Sequence, residues 1–425
     1  MIQTLRNAWR IEEIRKKILF TLLIVLLYRI GNAIPVPFVN TVLLQQYFSY
    51  LQNTALGLLD AMSGGSFSNA TIFALSIQPY INASIIIQLL CIAIPALERM
   101  SKEEGEEGRK KIASITRYST VAIGLLQGFG YYMLMKNNGI IVAEASQSVW
   151  AAIIIILTFT SGSALIMWLG EQITEFGVGN GISIILFASI ISRFPNSVIT
   201  SIQNVINGSL SWWAAVLVFL GALALIVLIV FVNDAERRIP VQYAKRVVGR
   251  KMYGGQSTHL PMKVNMSGVM PIIFASSISS IPATIAAFTG HSESAWAKTN
   301  TIPYAIIYLL LIIFFAYFYS TIQFNPIEVA NNLKKNGGYI PGFRPGKPTS
   351  EFIQRVLNKI TLFGAIYLGI IAVTPILVSH FSNAAALTGL SLGGTSIIIV
   401  VGVALETVRA IEAQMLMRNY KGFLS

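Results

Sequence analysis

The side chains best suited to chemistry in this 425-residue chain are few and scattered. Three histidines, His259, His291 and His380, and the single cysteine, Cys91, stand far apart with no carboxylate or second thiol at metal-ligand spacing, so no metal site is expected. Gly342 to Lys347 reads GFRPGK, without the spacing that wraps backbone amides around a phosphate. Gly177 to Gly181 reads GVGNG, which is not a dinucleotide fingerprint. No Ser/His/Asp order suggests a nucleophile, so neither an enzyme nor a cofactor is expected. Asp and Glu are nearly absent from the apolar runs, with Glu406 near the end of the last run as the exception. Ion-coupled carriers keep ionisable groups at mid-membrane, which counts against an ion-coupled small-molecule secondary transporter, the alternative reading. Nor is there a recognisable carbonyl or charge-ring filter of a selective ion channel.

The elements that carry these residues are apolar helices. Hydrophobic residues make up 54% of the chain and charged residues 12%, about half the charged share of an ordinary soluble domain. The apolar residues gather into runs of about 20, the length needed to cross a hydrocarbon layer roughly 30 Å thick. Period-2 alternation is missing, which argues against a barrel. Ten spans are expected, near 18–34, 72–97, 112–135, 149–169, 180–200, 212–232, 268–288, 302–324, 356–380 and 390–411. Arg193, Pro195 and Asn196 interrupt the fifth; Pro79, Pro271 with Pro282, and Pro375 lie in the second, seventh and ninth, which should therefore face protein or water. Met1 to Lys17 is basic and amphipathic, and no small-residue cleavage site follows the first run, so the first span is expected to stay attached. Of 31 Lys and Arg, only Lys136, Lys298 and Arg193, the last where the fifth span is interrupted, are counted to the odd-numbered loops, and Arg29 lies in the first span. The positive-inside rule therefore puts the even loops and both termini in the cytoplasm. Five spans in 1–205 and five in 206–425 leave the second half inverted relative to the first, as where a path runs between two halves.

Between the first two spans, ALGLLDAMSGGSFS (Ala55 to Ser68) is too short to cross and has no Lys or Arg. Leu56, Leu59 and Met62 would make one face of a short helix ending at Gly64 and Gly65. With IFALSIQPYINASIIIQLL (Ile72 to Leu90), this segment closely resembles the plug and second span of the SecY family, the pore subunits of the general protein-secretion channel. Further matches are YRIGNAIPVP (Tyr28 to Pro37), EEGEEGRKKIASITRY (Glu103 to Tyr118), MWLGEQITEFGVGNGISII (Met167 to Ile185), RRIPVQYAKR (Arg237 to Arg246), QSTHLPMKVNMSGVMP (Gln256 to Pro271), NPIEVANNLKKNGGYIPGFRPG (Asn325 to Gly346) and GGTSIIIVV (Gly393 to Val401). Shared hydrophobicity cannot generate ordered polar strings of this kind.

The resemblance implies an all-α membrane protein of two inverted five-helix halves forming an hourglass channel. It would conduct unfolded secretory polypeptides and release transmembrane segments sideways into the lipid bilayer. It also implies SecE and SecG as companion subunits, the motor ATPase SecA or a ribosome as driver, and precursors with signal sequences as passengers, in a bacterial cytoplasmic membrane. The family's pore constriction falls on Ile77, Ile81, Ile182, Leu186, Ile273 and Ile399, and its plug on residues 55–68. The lateral gate, between spans 2 with 3 and 7 with 8, has Gln88 and Asn265 as candidate polar groups. Basic loops at 233–267 and 325–355 offer Lys245, Arg246, Arg250, Lys251, Arg344 and Lys347 for docking the driver. Such tips suit ribosomal RNA phosphates or acidic groups on a motor.

Overall fold

The computed structural model describes residues 2–51, 55–102, 104–208, 211–243, 246–248, 251–253, 257–288, 301–381 and 394–421. Long helices fall on every expected span: α1 (Glu12–Gly31), α2 (Gln78–Ala93), α3 (Gly105–Asn137), α4 (Val149–Phe176), α5 (Gly181–Ile206), α6 (Trp212–Asp234), α7 (Met270–Phe288), α8 (Ile302–Gln323), α9 (Lys347–Phe381) and α10 (Gly394–Lys421). Among the described residues, α4, α5, α6, α8 and α9 are each long and apolar enough to cross a membrane alone. A sixth crossing results if α2 is joined to Pro95–Ser101, which follows it at an angle of 106°.

The second and fifth elements depart from the sequence reading. The expected span 72–97 is helical only from Gln78, and the chain from Ser63 to Ile77 runs in turns. Pro79 therefore sits in the first turn of α2, where a missing N–H costs nothing, rather than inside it. Conversely, α5 runs unbroken through Arg193, Pro195 and Asn196. Pro195 is accommodated where α5 carries side chains turned away from the protein, among them Phe194, 45% exposed.

The sixth loop adds structure with no span-length signal. β1 (Glu236–Tyr243), β2 (Arg246–Val248), β3 (Lys251–Tyr253), β4 (Ser257–Lys263) and, from the eighth loop, β5 (Gly338–Tyr339) form two small sheets, ordered β4-β1-β5 and β2-β3. β1 pairs antiparallel with β4 from Glu236 opposite Lys263 to Gln242 opposite Ser257. Ile239 and Val241 turn inward from β1 and join Met262, Ile340, Ile353 and Leu357 in a separate core. That core seats the first turns of α9 and ties the two basic loops together.

Apolar clusters succeed one another along the helices. α1 contributes Ile14 to a cluster with Ala8, Val178 and Ile411, then Ile24 and Tyr28 to the largest cluster. The largest cluster draws on both halves of the chain. A third, confined to the first half, collects Val36, Leu44, Phe48, Leu56, Phe67, Tyr131 and Phe159 with their neighbours.

Candidate functional site

The GVGNG string is the turn that sets the phase of α5. Gly179 takes φ +71°, and a Cβ on Gly181 would lie 1.9 Å from the Gly170 carbonyl oxygen, so both positions require glycine. Asn180 caps the helix, its side-chain oxygen accepting from the N–H of Ile182 at 3.1 Å and of Ser183 at 3.3 Å. With its start fixed, α5 presents Ile182, Leu186, Ser189 and Arg193 along one stripe. Opposite the usual preference for side-chain oxygens, α2 is capped by Ile77, whose carbonyl accepts from the Tyr80 and Ile81 N–H groups at 3.1 Å. The preceding Ser76 takes φ +50°, which swings the chain into the helix.

All six expected constriction residues belong to the largest apolar cluster or pack against it. Ile77, Ile81, Leu186, Ile273 and Ile399 are buried members of the largest cluster, and the half-buried Ile182 packs against it. They come from α2, α5, α7 and α10, two helices from each half of the chain.

The short helix Ala55–Met62 lies immediately beyond them. Met62 Sδ accepts from Gln78 Nε2 at 3.6 Å, one residue past Ile77. Gly64, at φ +72°, abuts α5 so closely that a Cβ would lie 2.6 Å from the Ser189 carbonyl oxygen, three residues past Leu186. Gly65 follows at φ +86°. Leu56 and Leu59 face the first-half cluster, whereas Met62 turns toward Gln78. Asp60, buried, is ion-paired with Arg193 of α5 and accepts from the Ser68 N–H at 2.7 Å.

Neither amide singled out at the gate bridges the halves. Gln88 donates from Nε2 to Ser84 of its own helix at 3.0 Å, and its Oε1 has no partner among the described residues. Asn265 donates to Asn233 Oδ1 at 2.9 Å, at the end of α6. Arg409 reinforces that corner by donating to the Asn233 carbonyl at 3.0 Å and pairing with Asp234. Close by, partial burial and then the Arg409 charge lower the pKa of Lys263 below the ordinary lysine value. The side-chain bond that does join α2 to α7 runs from Ser277 Oγ to Gln78 Oε1 at 3.3 Å, both groups buried. Sequence reasoning missed it; the signals that could have found it are an amide just before a proline at Gln78 and the four closely spaced serines of α7 that include Ser277.

Of the expected docking residues, Arg344 and Lys347 are exposed in a loop shaped by Gly342 at φ +87° and Gly346 at φ +105°. The Arg344 carbonyl accepts from Thr349 Oγ1 at 2.8 Å, and Phe343 stacks on Phe352 with centroids 4.2 Å apart, so the loop has a defined form. Arg246 and Lys251 lie in β2 and β3; Lys245 and Arg250 lie outside the described residues.

Long apolar helices from two halves packed around one apolar cluster, with a short helix beside it and basic loops outside it, define a multi-pass membrane protein. The comparisons give it a family. The SecY family model matches residues 71–408. The protein translocase subunit SecY of Streptomyces scabiei is 45% identical, with all of both chains covered. A solved protein-conducting channel superposes with a TM-score of 0.66 at 17% identity, covering 95% of this chain and 93% of that one. Sec61 from a canine ribosome–channel complex superposes with a TM-score of 0.62 at 15% identity, covering 95% and 93%. The chain belongs to the SecY family and is the channel subunit of a Sec protein translocase.

Proposed function

We propose that Ile77, Ile81, Ile182, Leu186, Ile273 and Ile399 form the constriction of the polypeptide path, closed on its outer side by the plug at 55–68. The observation that supports this reading is that these six residues, drawn from both halves of the chain, belong to or pack against one apolar cluster, with the turn after the short helix Ala55–Met62 touching Gln78 and Ser189 next to two of the contributing stretches. A narrow aliphatic collar makes a continuous thread of water unfavourable and so excludes hydrated ions, while its flexible side chains can close on any passing chain. The seal selects no sequence, which suits a channel for unfolded precursors of many kinds.

The halves 1–205 and 206–425 are inverted repeats, with both termini on the inner side of a bacterial cytoplasmic membrane. They part between α2 with α3 and α7 with α8 to release transmembrane segments into lipid. The Gln78–Ser277 bond spans this gate, and Gln88 and Asn265 add polarity along it. A ribosome-bound relative of the same fold supports the ribosome as one driver. The exposed Arg344 and Lys347, with Lys245, Arg246, Arg250 and Lys251, supply cations for ribosomal RNA or for acidic groups of the motor SecA. SecE and SecG complete the complex.

Reconstitution tests the whole reading. Proteoliposomes with SecE, SecG, SecA, ATP and a secretory precursor should accumulate protease-protected precursor. Uptake of a small solute with no protected precursor would favour a carrier instead.

A further inference from the structure

We infer that Asp60 and Arg193 form an ionic latch that holds the plug in its seat, with Arg193 as the positioning residue on the channel wall. The inference rests on the reading of residues 55–68 as a plug and names what fastens it.

The sequence makes the pairing conspicuous. Asp60 is the only charged residue between Arg29 and Glu98, and Arg193 is the only one between Glu175 and Asp234. Two lone charges, 133 residues apart in two long uncharged stretches, meet each other in the fold. A carboxylate whose side chain is only 8% exposed would be costly without a partner. The guanidinium supplies one on Oδ2, and the Ser68 N–H supplies another on Oδ1 at 2.7 Å. The Asp60 carbonyl also accepts from the Gly65 N–H at 2.9 Å and from Ser63 Oγ at 3.0 Å. One residue thus gathers the end of the short helix, the glycine turn and the following strand of chain onto a single cation.

The wall side is equally specific. Arg193 lies on the same stripe of α5 as Ile182, Leu186 and Ser189, so the helix that supplies two constriction residues also holds the latch, two turns further out. The glycine pair allows the approach. A side chain at Gly64 would strike the Ser189 carbonyl at 2.6 Å, and a Cβ on Gly65 would lie 3.4 Å from Arg193 Nε. Arg193 keeps 35% of its side chain exposed, so it can hydrate when the plug leaves. Asp60 hydrates only by leaving with the plug. Unseating therefore exchanges a buried, charge-assisted bond for two hydrated ions, a two-state arrangement well suited to a seal that must open for a passenger.

The test is planar-bilayer conductance of the complex with SecE and SecG, without passenger, for Asp60→Asn, Arg193→Gln and the exchange Asp60→Arg with Arg193→Asp. Loss of a hydrogen bond between charged groups should raise the unseated population, and with it the resting current, about tenfold or more in each single variant. The exchange should recover part of the lost tightness relative to the single variants, since arginine at position 60 restores the ion pair but cannot accept from the Ser68 N–H. A Cys91→Ser background carrying Asp60→Cys and Arg193→Cys should, when the two thiols are bridged through mixed disulfides by a bis-methanethiosulfonate reagent of about arginine's reach, with sulfinate as the leaving group, block precursor translocation until reductant is added. Single variants as tight as the parent, alongside a blocking cross-link, would overturn the latch and leave the plug intact. Translocation at the parental rate with the cross-link closed would overturn the plug reading itself. Failure of the single variants and the exchange to accumulate would make the pair a folding element and overturn the inference as well.

Discussion

The two largest apolar clusters are built from different material. The first-half cluster is aromatic: Phe67 stacks on Tyr131 with centroids 4.1 Å apart, Tyr131 meets Phe159 at 5.0 Å, and Phe48 meets Phe67 edge-on at 5.4 Å. Tyr131 is fully buried and its hydroxyl donates to the Phe67 carbonyl, so the stack is also tied to the backbone. The cluster shared by both halves also holds ring pairs, Tyr28 with Phe73 and Phe274 with Phe315, but isoleucine is its commonest residue, from Ile77 and Ile81 to Ile398 and Ile399. Ring pairs have narrow geometric optima, whereas contacts between aliphatic side chains are non-directional and each is weak. The aromatic stack is therefore the more directional of the two, and the isoleucine-rich region asks for less exact geometry. The short helix Ala55–Met62 touches both, with Leu56 in the aromatic cluster and Met62 beside the aliphatic one.

The sharpest way to break this comparison is to empty each cluster in turn. Phe159→Ala should cost about 3–5 kcal/mol, the usual effect of removing a buried ring. It should appear as lower yield and a lower thermal midpoint in detergent, without extra current per surviving channel. A leaky but stable Phe159→Ala channel would mean that the aromatic cluster is part of the seal.

Trimming the aliphatic junction should do the reverse. Changing several of Ile77, Ile81, Ile182, Leu186, Ile273 and Ile399 to Ser or Gly removes methylenes worth about 0.8 kcal/mol each against wetting. Two or three such changes should raise resting conductance at least about tenfold while the complex still assembles. An equal number of trims within Ile153–Ile156 of α4 is the control. Equal tightness of trimmed and control channels would shift the whole seal onto the plug.

How much of this was legible in the sequence follows from range. The helices were legible because each is signalled within its own window, by an apolar run and flanking cations. Their ends were less so: α2 begins six residues later than its apolar run, since Ser76 at φ +50° and the capping Ile77 are conformations, not compositions. The sheet went unseen because β1 shows only Ile239 and Val241 alternating inward, too short a pattern to register. Side-chain partners were the least legible. Gln88 and Asn265 stood out as amides in apolar surroundings, yet their bonds run to Ser84 and Asn233, while Gln78 meets Ser277 across 199 residues. Polar type shows that a buried group needs a partner; only the fold says which.

The smallest expected effect concerns that last bond, and it refines the claim that the aliphatic junction is the part that opens. Hydrogen bonds between membrane helices average about 0.6 kcal/mol in double-mutant cycles, because each helix finds other partners when they separate. Gln78→Leu and Ser277→Ala should each leave the thermal midpoint nearly unchanged, since packing carries the fold. Opening, however, must break the bond, so a change of 0.6 kcal/mol acts fully on the closed-to-open balance and corresponds to about a threefold shift. Precursors with weakened signal sequences should enter about threefold faster in either variant, and the double variant should be no faster than the singles. Strict multiplication of the two effects would show that Gln78 and Ser277 act through separate partners, Met62 among them, and would leave the junction of α2 and α7 held by isoleucine packing alone.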